Sequence, residues 1–130
     1  MLMDYKHCGP IIKKIRESRG KTKEQMHRFC HIFMLPPMLF ELGNTQAYDY
    51  IGYALNEHED VELKYIDNIE SGNTDLSIEV LNYFALFLEV PTLYILILGT
   101  PINEIPDRDN NCKETLTEIQ NIVKGSLELK

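Results

Sequence analysis

Three side chains within one helical turn could share a metal ion. His27, Cys30 and His31 are spaced so that imidazole and thiolate groups meet on a helix, and His7 and Cys8 offer further ligands. A structural zinc site usually has tighter ligand pairs, and Cys30 falls on the apolar side of its helix. We therefore predict that Cys30 is a small buried residue and that no metal is bound.

The other polar residues do not form a pattern typical of an enzyme. The sequence contains no nucleophile elbow, no paired carboxylates and no phosphate-cradling glycine loop, and Ser71, Cys112 and the four histidines show no arrangement that points to catalysis. Tyr48, Tyr50 and Tyr53 are expected to pack in the core with their hydroxyls at the surface, rather than to line a ligand pocket. We predict that the protein is not an enzyme and takes no cofactor.

Positive charge is concentrated at the N-terminus. Residues 1–31 carry eight Lys or Arg and three Asp or Glu, whereas the rest of the chain carries five and seventeen, and the net charge is −7. Because Lys and Arg bind DNA phosphates, any phosphate contact is expected in the first 31 residues. The alternative is that these cations are solvated or pair with the acidic remainder of the protein.

Apolar residues recur at helical spacing through most of the chain, and no long segment alternates with a period of two. A first helix is predicted between Pro10 and Gly20, and a capping box of Thr22 and Gln25 begins a second helix. Pro36 ends that helix. The fold class is therefore all-α, a compact helical bundle.

Later signals divide the rest of the chain. Gly72 ends a helix, Ser77 or Asp75 caps the next, and short apolar and amphipathic helices follow. We predict a helical domain at 1–99, a linker at 100–112 and a C-terminal helix at 113–130. The most apolar run is interrupted by Glu89 and Pro91 and no export signal is present, so we expect a cytoplasmic protein without a membrane span.

Two stretches resemble the phage-repressor (Cro/CI, XRE-like) helix-turn-helix family. "IIKKIRESRGKTKEQM" is similar to the family's first helix and the start of its second. "YIDNIESGNTDLSIEVLNYFALFLEVP" is similar to the end of the recognition helix, the following loop and helices four and five. The second stretch is the more specific, because residue types match at unbroken spacing. The residues that carry the resemblance are Ile12, Ile15, Arg19, Gly20, Thr22, Gln25, Met26, Tyr65, Ile66, Ile69, Glu70, Gly72, Ser77, Ile78, Leu81, Ala85, Leu88 and Val90.

The two stretches lie further apart than in that family, where a short turn joins helices two and three. In one interpretation, helix two begins at Lys23 and residues 36–60 are an insertion. In the other, residues 44–56 form helix two and the basic N-terminal segment is an added or displaced helix. We favour the second, because it keeps the helices packed in sequence order. In either case, we expect the two stretches to come together with a cationic rim beside the segment ending at Gly72.

The resemblance implies a way of binding DNA. A recognition helix brings its N-terminal residues to base edges. This places Glu62, Lys64 and Asn68 at the bases, where Lys64 would read guanine and Asn68 adenine, with Asn73 and Thr74 beside phosphate. The N-terminal residues expected to contact phosphate are Lys13, Lys14, Arg16, Arg19, Lys21, Thr22, Lys23, Gln25 and Arg28.

The sequence therefore predicts a DNA-binding transcriptional regulator. Apolar segments at 92–98 and 113–127 suggest a homodimer that reads two half-sites, although the last helix could instead fold back onto its own domain. The alternative function is a protein-binding module on the same scaffold, which docks a basic partner or mimics DNA. Its acidic face would consist of Glu57, Glu59, Asp60, Glu62 and Asp67.

Overall fold

The computed structural model describes residues 5–30, 59–105 and 110–129. These residues form six α-helices and two short 3-10 helices and contain no strand, which confirms the all-α prediction for this part of the chain. The α-helices are α1 (Gly9–Ser18), α2 (residues 23–30), α3 (Glu59–Glu70), α4 (Ile78–Leu88), α5 (Thr92–Gly99) and α6 (Asn110–Ser126). The 3-10 helices are Lys6–Cys8 and Ile102–Glu104. The three tyrosines at 48–53 and nearly all of the proposed insertion at 36–60 lie outside the described residues.

Local sequence signals set the ends of α1 and the start of α2. Pro10 lies in the first turn of α1, and Gly20 follows the helix with φ of 66°, a conformation that costs glycine little. The Thr22 amide donates to the Gln25 side-chain oxygen at 2.8 Å, and the Gln25 amide donates to the Thr22 hydroxyl at 3.1 Å. The predicted capping box is therefore confirmed.

The later helix ends also follow the sequence. Gly72 adopts φ of 74° just beyond α3, so its predicted role as a helix stop is confirmed. Ser77 is the N-cap of α4, since its hydroxyl accepts a hydrogen bond from the Val80 amide at 3.3 Å. The C-terminal helix begins earlier than predicted, at Asn110, inside the segment assigned to a linker.

The core combines residues from the first five helices. Its largest fully buried side chains are Phe84, Ile12, Ile15, Met26, Ile66, Ile69, Leu76, Leu81 and Leu88. Full burial of one such side chain contributes roughly 1.5–3 kcal/mol of transfer free energy. The helices also approach closely, because a Cβ atom added to Gly9 of α1 would lie only 1.7 Å from the Ile69 carbonyl oxygen of α3. The two stretches that resemble the repressor family therefore pack as one bundle.

α2 belongs to this bundle. Its Met26 and Cys30 side chains are both fully buried in the core. The start of α2 also contacts α3, since Lys23 Nζ lies 2.6 Å from Asp67 Oδ1. Residues 44–56, which form helix two in the other interpretation, lie outside the described residues.

The C-terminal helix folds back onto α5. This is the arrangement that the sequence analysis gave as the alternative to a dimer contact. The Gln120 side-chain amide donates to the carbonyl oxygens of Ile97 at 2.9 Å and Thr100 at 3.1 Å, and Val123 is buried. The Ile97 carbonyl oxygen also accepts from the Thr100 amide at 3.3 Å, so Gln120 adds a second donor there and ties α6 to the C-terminal end of α5. The other side of α6 leaves Ile122 68% exposed.

The apolar run identified in the sequence forms two helices. α4 and α5 together have the length and apolar composition of a membrane span, but they are bent by 113° at their junction. No single helix among the described residues is long and apolar enough to cross a bilayer.

Candidate nucleic-acid interface

A buried ion pair joins α1 to α3. Arg16 Nε lies 2.8 Å from Glu70 Oε2, and Arg16 Nη2 donates to Glu70 Oε1 at 3.0 Å. The remaining guanidinium nitrogen, Nη1, donates to the Lys21 carbonyl oxygen at 2.9 Å. The hydrogen bond to Glu70 raises the pKa of Arg16 above its ordinary value, so the guanidinium is charged at every physiological pH.

This placement differs from the sequence prediction for Arg16. We expected a phosphate contact, but the residue is 7% exposed and its guanidinium nitrogens donate to groups of the protein itself. Arg16 therefore joins α1 to α3 inside the protein instead of presenting its charge to solvent.

A second ion pair links α2 to α3 at the surface. Lys23 Nζ lies 2.6 Å from Asp67 Oδ1, and the two side chains are 34% and 53% exposed. Hydrogen bonding to Asp67 raises the pKa of Lys23. The start of α2 therefore lies beside the second half of α3.

A cleft of about 340 Å³ lies where α1, the start of α2 and the second half of α3 meet. Its lining residues include three cations and three carboxylates, most of them in the ion pairs described above. They are Lys13, Arg16, Glu17, Lys23, Asp67, Glu70 and Ser71. Of the expected cations, Lys13, Arg16 and Lys23 line this cleft beside the segment that ends at Gly72, and three carboxylates accompany them.

Several other residues of the basic N-terminal segment are exposed. They are Lys13, Lys14, Arg19, Thr22, Gln25 and Arg28. Lys21 is partly buried, since its ammonium group donates to the Phe87 carbonyl oxygen at 3.1 Å and lies 4.7 Å from the centre of the Phe87 ring. Such a cation–π contact holds Lys21 against α4.

On α3, Lys64 is exposed and Asn68 half-buried, and their spacing of four residues puts them on the same side of the helix. Glu62 lies in α3, but its side chain is outside the described part of the structure. Asn73 in the following loop is exposed. Thr74 differs from the prediction, because it is 4% exposed and its side chain is turned away from any phosphate outside the protein.

Sequence patterns did not predict the two ion pairs. Arg16 stands four residues after Ile12, and Glu70 stands four residues after Ile66, so each charged side chain adjoins an apolar stripe. A charged residue in that position is a signal of burial with a partner. The identity of the partner is set by contacts across the bundle.

Two of the candidate metal ligands, Cys8 and Cys30, are buried cysteines. The Cys30 thiol lies 3.8 Å from the Tyr83 carbonyl oxygen, and burial raises its pKa to about 12, which disfavours the thiolate that metals bind. Burial likewise raises the pKa of Cys8 to about 11. Within the described residues, no group of three or more His, Cys, Asp or Glu side chains could hold a metal ion; His31 is not among these residues.

Comparison of the chain with models of protein families, with curated proteins and with solved structures gives no match in any of the three.

Proposed function

We propose that this protein is a dimeric, helix-turn-helix DNA-binding regulator that acts in the cytoplasm. The observation that supports this most is the cleft in which Lys13 and Lys23 of the basic N-terminal segment adjoin α3. α3 is the helix that resembles a recognition helix, and it carries Lys64 and Asn68 on one side. Cations suited to phosphates therefore adjoin the same helix that carries polar side chains suited to base edges.

In this proposal, the exposed cations of the basic N-terminal segment bind the DNA backbone. Lys13, Lys14, Arg19 and Arg28 take this role, whereas Arg16 stabilises the bundle instead. Each neutralised phosphate releases condensed counterions, so affinity falls steeply with salt concentration. Lys64 and Asn68 then supply the base contacts, donating to guanine and adenine edge atoms respectively.

Dimer formation would align two such surfaces with two half-sites. α5 and α6 leave apolar side chains in solvent after α6 has docked, with Leu93 60% exposed, Ile119 39% and Ile122 68%. A twofold contact between these surfaces would remove them from water.

The first experiment is a gel-shift titration with random-sequence duplex DNA at several salt concentrations. We expect binding whose logarithmic affinity falls linearly with the logarithm of salt concentration. Lys13→Gln should reduce the slope by about 0.9, the value for one lost phosphate contact. Lys124→Gln, which removes the same charge from α6, is the matched control and should leave the slope unchanged.

The second experiment is repeated selection of bound duplexes from a random pool. Wild-type protein should enrich a palindromic site, and Asn68→Ala should relax the preference at one position in each half-site, where a good contact contributes about 1–3 kcal/mol of discrimination. Absence of binding to any duplex at low salt would reject the proposal. Co-purification of a basic protein in that case would favour the alternative, a module that docks basic partners through its acidic residues.

A further inference from the structure

Two carboxylates of α3, one turn apart, each bind a cation of the N-terminal segment, but in opposite environments. Glu70 binds Arg16 through two hydrogen bonds, with side-chain exposures of 3% and 9%. Asp67 binds Lys23 through one close contact, with exposures of 53% and 34%. The first pair is part of the folded core and the second faces solvent.

The exposed pair can exchange partners. Opening the Arg16–Glu70 pair would leave charges buried without compensation, whereas opening Lys23–Asp67 releases both groups into water. Exposed pairs of this kind shift an equilibrium by no more than about fivefold. A phosphate oxygen offers Lys23 the same chemistry as the Asp67 carboxylate, an anion that accepts a hydrogen bond from the ammonium group.

We propose that Asp67 occupies the place of a DNA phosphate at Lys23, so that duplex DNA must displace this carboxylate in order to use Lys23. The inference rests on the proposed function and deepens it. Asp67 is then a residue that sets affinity: it lowers binding to every duplex alike, because the contact it replaces is to the backbone and carries no sequence information.

A double-mutant cycle tests this with fluorescence anisotropy on a labelled random-sequence duplex at several salt concentrations. Asp67→Asn keeps the size of the side chain and removes its charge, and it should raise affinity about two- to fivefold by freeing Lys23. Lys23→Gln should lower affinity and reduce the salt slope by about 0.9. In the Lys23→Gln background, Asp67→Asn should give none of that specific gain.

Removal of any negative charge near DNA raises affinity to some degree, and Asp75→Asn measures that general effect. Asp75 is exposed in the loop after α3, so the control removes the same charge from the same part of the molecule. The inference requires that Asp67→Asn raise DNA affinity more than Asp75→Asn does when Lys23 is present. When Lys23 is replaced by Gln, the two substitutions should raise affinity equally. Thermal unfolding of each variant verifies that it is folded.

The outcomes separate this inference from the proposed function. If wild-type protein binds DNA with a steep salt dependence but Asp67→Asn and Asp75→Asn gain equally, the inference is rejected and the function stands. A specific gain that persists in Lys23→Gln also rejects it, because the carboxylate would then act through another group. If no variant binds duplex DNA at low salt, both are rejected.

Discussion

The Arg16–Glu70 pair gives the sharpest prediction about stability. Glu70→Leu removes one partner and leaves the buried Arg16 side chain, which is 9% exposed, with the Lys21 carbonyl oxygen as its remaining acceptor among those described. Arg16→Met removes the other partner and also the bond to that carbonyl. The double variant replaces both charges with apolar side chains of similar length.

The magnitude follows from burial. Breaking a buried pair by removing one partner costs about 3–5 kcal/mol, because the other charge stays desolvated. That is a large share of the roughly 5–15 kcal/mol by which domains of this size are stable. The Arg16→Met/Glu70→Leu variant leaves no isolated charge, so we expect it within about 1–2 kcal/mol of wild type, the residual cost being the lost bond to Lys21.

Urea unfolding followed by circular dichroism measures these free energies, and the slope of free energy against urea should stay constant if only stability changes. Asp67→Ala is the control: it breaks the exposed pair with Lys23 and should cost less than about 1 kcal/mol. A Glu70→Leu variant as stable as this control would refute the reasoning. So would a double variant whose loss equals the sum of the two single losses.

Three further predictions concern backbone packing and the thiols. Gly9→Ala should destabilise the protein by at least about 3 kcal/mol, because the added Cβ would force α1 away from α3. Gly125→Ala should stabilise it by about 0.5–1 kcal/mol in the same urea assay, because an added Cβ there meets no atom within 4 Å. Cys112 should react rapidly with a thiol reagent in the native state and Cys8 and Cys30 only on unfolding, because only Cys112 is exposed; rapid modification of all three would contradict the packing. Burial raises the pKa of Cys8 from 9.0 to about 11 and that of Cys30 to about 12. The contribution of the two protonated thiols to the free energy of unfolding is therefore complete below pH 9 and is lost as pH rises through the folded-state pKa values. Unfolding titrations above pH 9 should therefore show a steeper loss for wild type than for Cys8→Ala.

Local structure was largely predictable from the sequence. The Thr22–Gln25 capping box, the stops at Gly20 and Gly72 and the Ser77 cap depend on residues within one turn of each other, so their spacing alone specifies them. The apolar stripes likewise predicted which sides of α1 and α3 are buried.

The roles of charged residues were less predictable, because they depend on contacts between distant segments. Arg16 and Glu70 are 54 positions apart, and Lys23 and Asp67 are 44 apart. Composition shows that the N-terminus is basic, but it does not distinguish a cation held in the core from one available to a ligand. Arg16 was therefore assigned to phosphate binding, although its own helix places it beside Ile12 and Ile15 at the edge of the core.

The way α6 is docked implies an order in which the helices unfold locally. Among its described residues only Gln120 and Val123 are buried, whereas α1 is held by apolar packing and by a desolvated ion pair. In native-state hydrogen exchange, we expect the amides of α6 and of the C-terminal turn of α5 to exchange first. The amides of α1 should exchange only with global unfolding. We therefore expect the amides of α1 to α4 to exchange together and slowly, and α6 to open locally without unfolding them.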